Sequence, residues 1–303
     1  MPSARYVTVD VFTDRRFGGN QLAVFPDARE IPGELMLDIT KEFNYSETTF
    51  VLPPEDPRHT RRVRIFTPER EMPFAGHPTV GTAHVLAHLG EVMLDGPETR
   101  IVFEEGVGPV PVTIREQGGR PVFAQLTAAK LPEVLPPPPP ATALAEVLSL
   151  HAGDILQNVY KPEAVSAGLP FLFVPVTDRR AVARARVRMD AWERVLTGYP
   201  TRELFVFAFD PERDGSDVRA RMFAPGLNVF EDPATGSACA ALGGYLGMRD
   251  QRRDGTLRWV VEQGFEMGRP SILEIETEKS AGAITAVRVG GSSVVVCEGM
   301  LNF

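Results

Sequence analysis

Hydrophobic and polar residues alternate at the start of the chain, where Val7, Val9 and Val11 are separated by polar neighbours, the pattern of a half-buried strand. The period changes in "PGELMLDITKEF" (residues 32–43), where Leu35, Ile39 and Phe43 fall roughly on one face of a short helix. "SETTFVL" and "RRVRIF" return to a strand pattern across the proline-rich connection "PPEDPR". Residues 78–89 carry helical periodicity and stop at Gly90, a suitable C-cap. Three further strands follow in "TRIVFEE", "VPVTIRE" and "PVFAQL". Five consecutive prolines at 136–140 exclude sheet and helix and favour a stiff polyproline II spacer. A second set of strands and helices occupies the remainder, and the last strand, "SSVVVCEGMLNF", is a candidate to return to the first set.

The two halves resemble each other. "RIFTP" (64–68) matches "RMFAP" (221–225), and "EMPFAGH" (71–77) matches "EDPATGS" (231–237). Glu71, Pro73 and Gly76 align with Glu231, Pro233 and Gly236, each displaced by 231 − 71 = 160 residues. Glu47 precedes Arg64 by 17 residues and Glu203 precedes Arg221 by 18, and each turn is followed by a small-residue helix ending in "HLG" or "YLG". The expected unit is strand, strand, Pro/Gly turn, helix, present twice. The expected domains are 1–128, with about 290–303 returning to it, and 129–289. In a duplicated fold the two equivalent turns can face each other across a cleft. Each helix N-terminus then contributes a partial positive charge of about half a unit, a setting for a carboxylate.

His77 and Ser237 are the equivalent residues of those turns. An imidazole after Gly76 serves either proton chemistry or plain turn polarity. Ser237 suits a helix cap or a hydroxyl donated to a ligand. Asp232 by itself reads as a turn aspartate, and Glu47 as a solvated strand-end carboxylate. Near helix N-termini and an imidazole, however, Glu47 could exchange a proton with carbon if its pKa suits the step. His84 and His88 have the i, i+4 spacing of a metal pair, but "HVLAH" lacks the HExxH glutamate and a third ligand is not evident. No metal site is expected. Cys239 sits among small residues and reads as a buried structural thiol.

The composition narrows the classes further. A chain of 303 residues with 43% hydrophobic and 24% charged residues is a soluble globular protein of two ordinary domains. A net charge of −8 argues against a nucleic-acid partner. No apolar run approaches a membrane span, and the N-terminus lacks the pattern of a secretory signal. With only Cys239 and Cys297, no disulfide framework is expected, and a cytoplasmic location fits. Phosphate-loop, GxGxxG and GxSxG fingerprints are absent, so nucleotide hydrolysis, nicotinamide binding and α/β-hydrolase chemistry lack support.

Several long motifs, in order, carry a resemblance: "VDVFTDRRFGGNQLAVF", "NYSETTFV", "FTPEREMPFAGHPTVGTAHVL", "FAPGLNVFEDPATGSACAALGGYL" and "QGFEMGRPS". The chain resembles the PhzF-like phenazine-biosynthesis isomerase family, whose fold is similar to diaminopimelate epimerase. The resemblance implies an α/β fold of two alike domains, each a curled, mostly antiparallel sheet around a central helix, with the active site in the cleft between them. It places the family's acid/base glutamate on Glu47 and its supporting histidine, aspartate and serine on His77, Asp232 and Ser237. Asn20, Ser46, Gly76 and Gly236 are the candidates for holding substrate. The epimerase relatives use two cysteines where this chain has Ala75 and Thr235, so a two-thiol mechanism is not available. Gln21 stands where the family commonly has proline, a departure beside Asn20. The implied activity is a cofactor-independent isomerisation that shifts a proton on a small carboxylate. The phenazine enzyme itself moves a hydrogen within a dihydro-hydroxyanthranilate. The alternatives are a catalytically silent binding protein on the same scaffold, or an amino-acid epimerase. A homodimer is expected from the resemblance alone.

Overall fold

The alternation at Val7, Val9 and Val11 becomes strand β1 (Ser3–Val11) in the computed structural model, which describes residues 2–227 and 229–303. Its second half is buried on both faces, because the residues between the valines, Thr8 and Asp10, are enclosed as well. The chain divides into two units, Met1–Ala129 with Val289–Phe303 and Lys130–Arg288.

In the first unit β2 (Asn20–Phe25) runs antiparallel to β1. Helix α1 (Met36–Phe43) then carries the chain to β3 (Glu47–Leu52), which lies parallel to β2. The helix starts later than its periodicity predicts. Pro32 and Gly33 form a turn instead, closed by the Leu35 N–H donating to the Pro32 carbonyl. Met36 and Ile39 pack on Phe25, Phe50 and Phe66. Strands β4 (Arg61–Phe66) and β5 (Glu71–Met72) follow as antiparallel neighbours and lead into α2 (Gly76–His88). After α2 come β6 (Glu98–Glu105), parallel to β4, then β7 (Gly108–Gln117) and β8 (Arg120–Thr127), each antiparallel to the strand before it. The C-terminal strand Ser293–Asn302 pairs antiparallel with β1, from Ser3↔Asn302 to Val11↔Ser293.

The second unit opens with β9 (Glu133–Val134), the proline run, and α3 (Ala141–Val147), which starts directly after Pro140. The Pro140 backbone, at φ −56° and ψ 148°, lies in the polyproline II region. Strands β10 (Glu163–Ser166) and β11 (Pro170–Pro175) follow, then helices α4 (Arg179–Arg184) and α5 (Met189–Leu196). From β11 onward the first unit's order recurs. β12 (Leu204–Ala208) is parallel to β11, and β13 (Val218–Ala224) and β14 (Val229–Asp232) are antiparallel neighbours. Helix α6 (Gly236–Gly247) follows, then β15 (Gly255–Gln263), parallel to β13, and β16 (Ser271–Ser280), antiparallel to β15.

Both central helices are buried almost all round. Every residue of α2 from Gly76 to Ala87 is buried, against β1, β2, β3, β7 and β8. In α6 every residue is buried except Ser237, against β10, β11, β15 and β16. A helix enclosed this way has no solvent face, so it lacks the one-sided pattern of a surface helix.

The repetition extends to single hydrogen bonds. The Glu104 carboxylate accepts the N–H groups of Glu55 and Asp56 at 2.8 and 2.7 Å, which holds the loop before β4. Glu262 accepts those of Glu212 and Arg213 at 2.9 and 2.6 Å before β13. Arg64 pairs with Glu71 and Arg221 with Glu231, each guanidinium donating from Nε and Nη2 to the two carboxylate oxygens. Gly106 lies so close to Pro73 that an added Cβ would sit 2.8 Å from its Cα, and at Gly264 it would sit 2.5 Å from the Pro233 carbonyl oxygen. Gly264 also has φ +76°, which disfavours any side chain.

Alanine at these glycines should therefore destabilise the two turns unequally. We expect Gly264→Ala to cost about 3 kcal/mol, combining backbone strain with the clash. Gly106→Ala should cost about 1–2 kcal/mol, because only the contact is at stake. Denaturant unfolding of both variants checks this, and equal, negligible losses would contradict the close approach.

Candidate active site

Strand β3 begins at Glu47 because the chain turns at Asn44, whose φ of 52° closes α1. Glu47 thus stands at the strand end, opposite Leu22 on β2 and two residues after that strand's own first residue, Asn20. Helix α2 begins at Gly76, with Ala75 as N-cap and no side-chain capping bond. The next residue is His77. These neighbouring ends bring together four of the predicted residues. His77 Nε2 lies 3.4 Å from Glu47 Oε2, with the imidazole 5% and the carboxylate 17% exposed. Asn20 Nδ2 is 3.2 Å from His77 Nδ1, and Ser46 donates from Oγ to Asn20 Oδ1 at 2.9 Å. The chain Ser46–Asn20–His77–Glu47 follows from these contacts. With the Asn20 oxygen taken by Ser46, its amide N–H groups face Nδ1, while Nε2 faces Glu47 without a regular hydrogen bond.

Burial pushes the His77 pKa down to about 3, opposed by a hydrogen bond with the Gln21 backbone. Burial thus favours the neutral imidazole. The contact at 3.4 Å is longer than a regular hydrogen bond, a common state in substrate-free sites.

The second unit builds the equivalent turn differently. Asp232 ends β14, is buried, and accepts the Thr235 hydroxyl on Oδ2 at 2.6 Å. Thr235, not Ser237, is the N-cap of α6, and Ser237 lies inside the first turn after Gly236, as the one partly exposed residue of the helix. The helix boundary is displaced by two residues from the expected cap because Gly236 already has helical backbone. Gln263, at the end of β15, clamps this turn. It donates from Nε2 to the Asp232 carbonyl at 2.7 Å and to Thr235 Oγ1 at 2.9 Å, and its Oε1 accepts the Thr235 N–H at 3.1 Å.

Sequence reasoning missed Gln263 and its counterpart Glu105. The signal was present as "EEG" at 104–106 and "EQG" at 262–264, a further repeat. Glu203, the counterpart of Glu47 by spacing, is occupied locally, accepting from the Thr201 hydroxyl at 2.6 Å and the Arg202 N–H at 2.9 Å. Cys239 is fully buried, which with the nearby Asp232 charge raises its thiol pKa and disfavours the thiolate. His84 and His88 stack with ring centroids 6.4 Å apart. Among the described residues no group of three or more His, Cys, Asp or Glu side chains could hold a metal ion. Nor is any described helix long and apolar enough to cross a membrane.

A family model described as "Phenazine biosynthesis-like protein" matches residues 9–299. An uncharacterized isomerase of Mesorhizobium japonicum is 39% identical over 99% of both chains. The trans-2,3-dihydro-3-hydroxyanthranilate isomerase of Pseudomonas aeruginosa is 33% identical over 97% of this chain and 98% of its own. A Bacillus anthracis protein of the PhzF family superposes with a TM-score of 0.90 at 23% identity over all of both chains. A hydroxyproline epimerase from Agrobacterium vitis shares the fold, with a TM-score of 0.63 at 14% identity over 99% of this chain and 92% of that one. The α/β architecture is thus that of the PhzF and epimerase-like folds, and the chain belongs to the phenazine biosynthesis-like, PhzF, family of isomerases.

Proposed function

We propose that this isomerase shifts a proton between two carbons of a small carboxylate-bearing metabolite, with Glu47 as the general acid/base and no organic cofactor or metal. The observation that carries the reading is the Glu47–His77 pair, its imidazole buried and its carboxylate mostly shielded, held from behind by Asn20 and Ser46. A proton shift needs one group that takes a proton from carbon and returns it before solvent replaces it. A carboxylate is a sufficient carrier when it is shielded and correctly aimed. His77, neutral and fixed, aims it.

The substrate class follows from the turns. Neither α2 nor α6 has a side-chain capping bond, and first-turn N–H groups at Gly76 and Gly236 suit a carboxylate. The named relative is a trans-2,3-dihydro-3-hydroxyanthranilate isomerase, whose substrate is such an acid. Asp232 and Ser237 are given supporting roles on the sequence equivalence of their turn with that of His77, and homodimer assembly is proposed on family resemblance alone.

Incubation with a panel of small unsaturated carboxylic acids in D₂O, followed by proton NMR, should reveal one or more that isomerise. For such a substrate, Glu47→Gln should lower turnover by about 10²–10⁴-fold with binding retained. Near-normal turnover of Glu47→Gln would remove it as proton carrier and leave Asp232 as the next candidate.

Because His77 stays neutral down to about pH 3, it adds no ionisation limb to the rate profile near the ordinary histidine value. His77→Asn should lower kcat by roughly tenfold without changing the shape of the profile between about pH 5 and 8. Loss of an inflection in that window on substitution would show that the wild-type imidazole titrates there.

A further inference from the structure

Glu105 ends β6 opposite Gly108 of β7, directly beneath the turn that carries His77. It occupies the place that Gln263 holds in the second unit, one residue before the glycine that packs on Pro73 or Pro233. Its carboxyl is buried. Oε1 lies 2.6 Å from the Thr79 hydroxyl, and Oε2 is buried with no hydrogen-bond partner. Thr79 Oγ1 also lies 2.8 Å from the carbonyl oxygen of Ala75, the N-cap of α2.

The hydroxyl has one hydrogen and two short oxygen neighbours. If it donates to the Ala75 carbonyl, the 2.6 Å contact needs a proton on Glu105, which then donates to Thr79. If Glu105 is ionised, the hydroxyl must turn to the carboxylate, and the Ala75 carbonyl keeps only the Thr79 N–H at 3.3 Å. Gln263 answers the same requirement with a neutral amide and makes three hydrogen bonds.

We infer that Glu105 is a positioning residue, kept as a neutral carboxylic acid, whose proton decides whether the Thr79 hydroxyl holds the Ala75 carbonyl at the base of the His77 turn. The inference rests on the assignment of His77 to the site, but its test does not depend on turnover.

Charged neighbours do not supply the effect. On β4 and β5, Arg64 pairs with Glu71, while Arg62 pairs with Glu55 in the preceding loop, and Glu104 is engaged by His59 and two backbone N–H groups. The titratable residues of α2 are His77, His84 and His88, and the segment 73–75 carries none. Burial raises the Glu105 pKa to about 8, opposed only by the Thr79 hydroxyl. A folded-state value above the unfolded one means that the stabilisation present below about pH 4.5 is lost as pH rises through about 8.

The test uses the isotope-labelled full-length protein and follows the backbone amide signals of Gly76 and His77 from about pH 6 to 9.5. The Gly76 nitrogen reports on the adjoining Ala75 carbonyl. In the wild type both signals should titrate with one midpoint near 8. In Glu105→Gln the midpoint should vanish, and the folding equilibrium constant should gain on wild type by up to tenfold per pH unit between about 4.5 and 8. In Thr79→Val the carboxyl should titrate at higher pH, with the Gly76 response lost. A wild-type turn without this titration, its persistence in Glu105→Gln, or an intact Gly76 response in Thr79→Val would each overturn the inference.

Discussion

A helix enclosed by strands on every side has to begin somewhere, and its first turn leaves backbone N–H groups without helical partners. In this protein α2 and α6 both meet that constraint without a side-chain cap. The turn before each helix must therefore be fixed by other means, and the surrounding residues follow from that need. A proline enters the turn, and a glycine from the next strand end packs against it. An Arg–Glu pair braces the preceding hairpin, and the strand-end residue beside that glycine reaches into the turn from below. What remains at the helix entrance, His77 in one unit and Ser237 in the other, is then available for chemistry.

The two copies solve the same problem with different charges. In the second unit an amide, Gln263, makes three hydrogen bonds to the turn, and the turn's carboxylate, Asp232, is already bonded to Thr235. In the first unit the carboxyl at the equivalent place must hold a proton to do the same, and the imidazole above it is neutral because it is buried. Among the described residues, the first unit sets the His77 imidazole against a strand-end carboxylate. The spacing counterpart, Glu203, is folded onto its own backbone. Duplication supplied the frame, and divergence at a few buried positions separated the roles.

Much of this was legible in the sequence. Strands β3 and β4 and helix α2 could be placed to within about two residues, because alternation and a glycine stop mark their ends strongly. The α1 start was not, since periodicity continues through Pro32 and Gly33 while the backbone turns there. The grouping of Glu47, His77, Asn20 and Ser46 needed the parallel β2–β3 pairing, a long-range contact that local pattern does not report. Gln263 and Glu105 escaped notice because each reads alone as an ordinary polar strand end. Ser237 suits a cap or a ligand donor on sequence grounds, yet the glycine before it takes helical backbone and moves the boundary to Thr235.

The account depends most on the state of one ring. Nitrogen NMR of the His77 imidazole in the substrate-free protein, near neutral pH, reads it directly. A neutral ring protonated on Nε2, with Nδ1 accepting from Asn20, is the predicted result. A doubly protonated imidazolium, or a proton on Nδ1, would contradict the proposed aiming of Glu47.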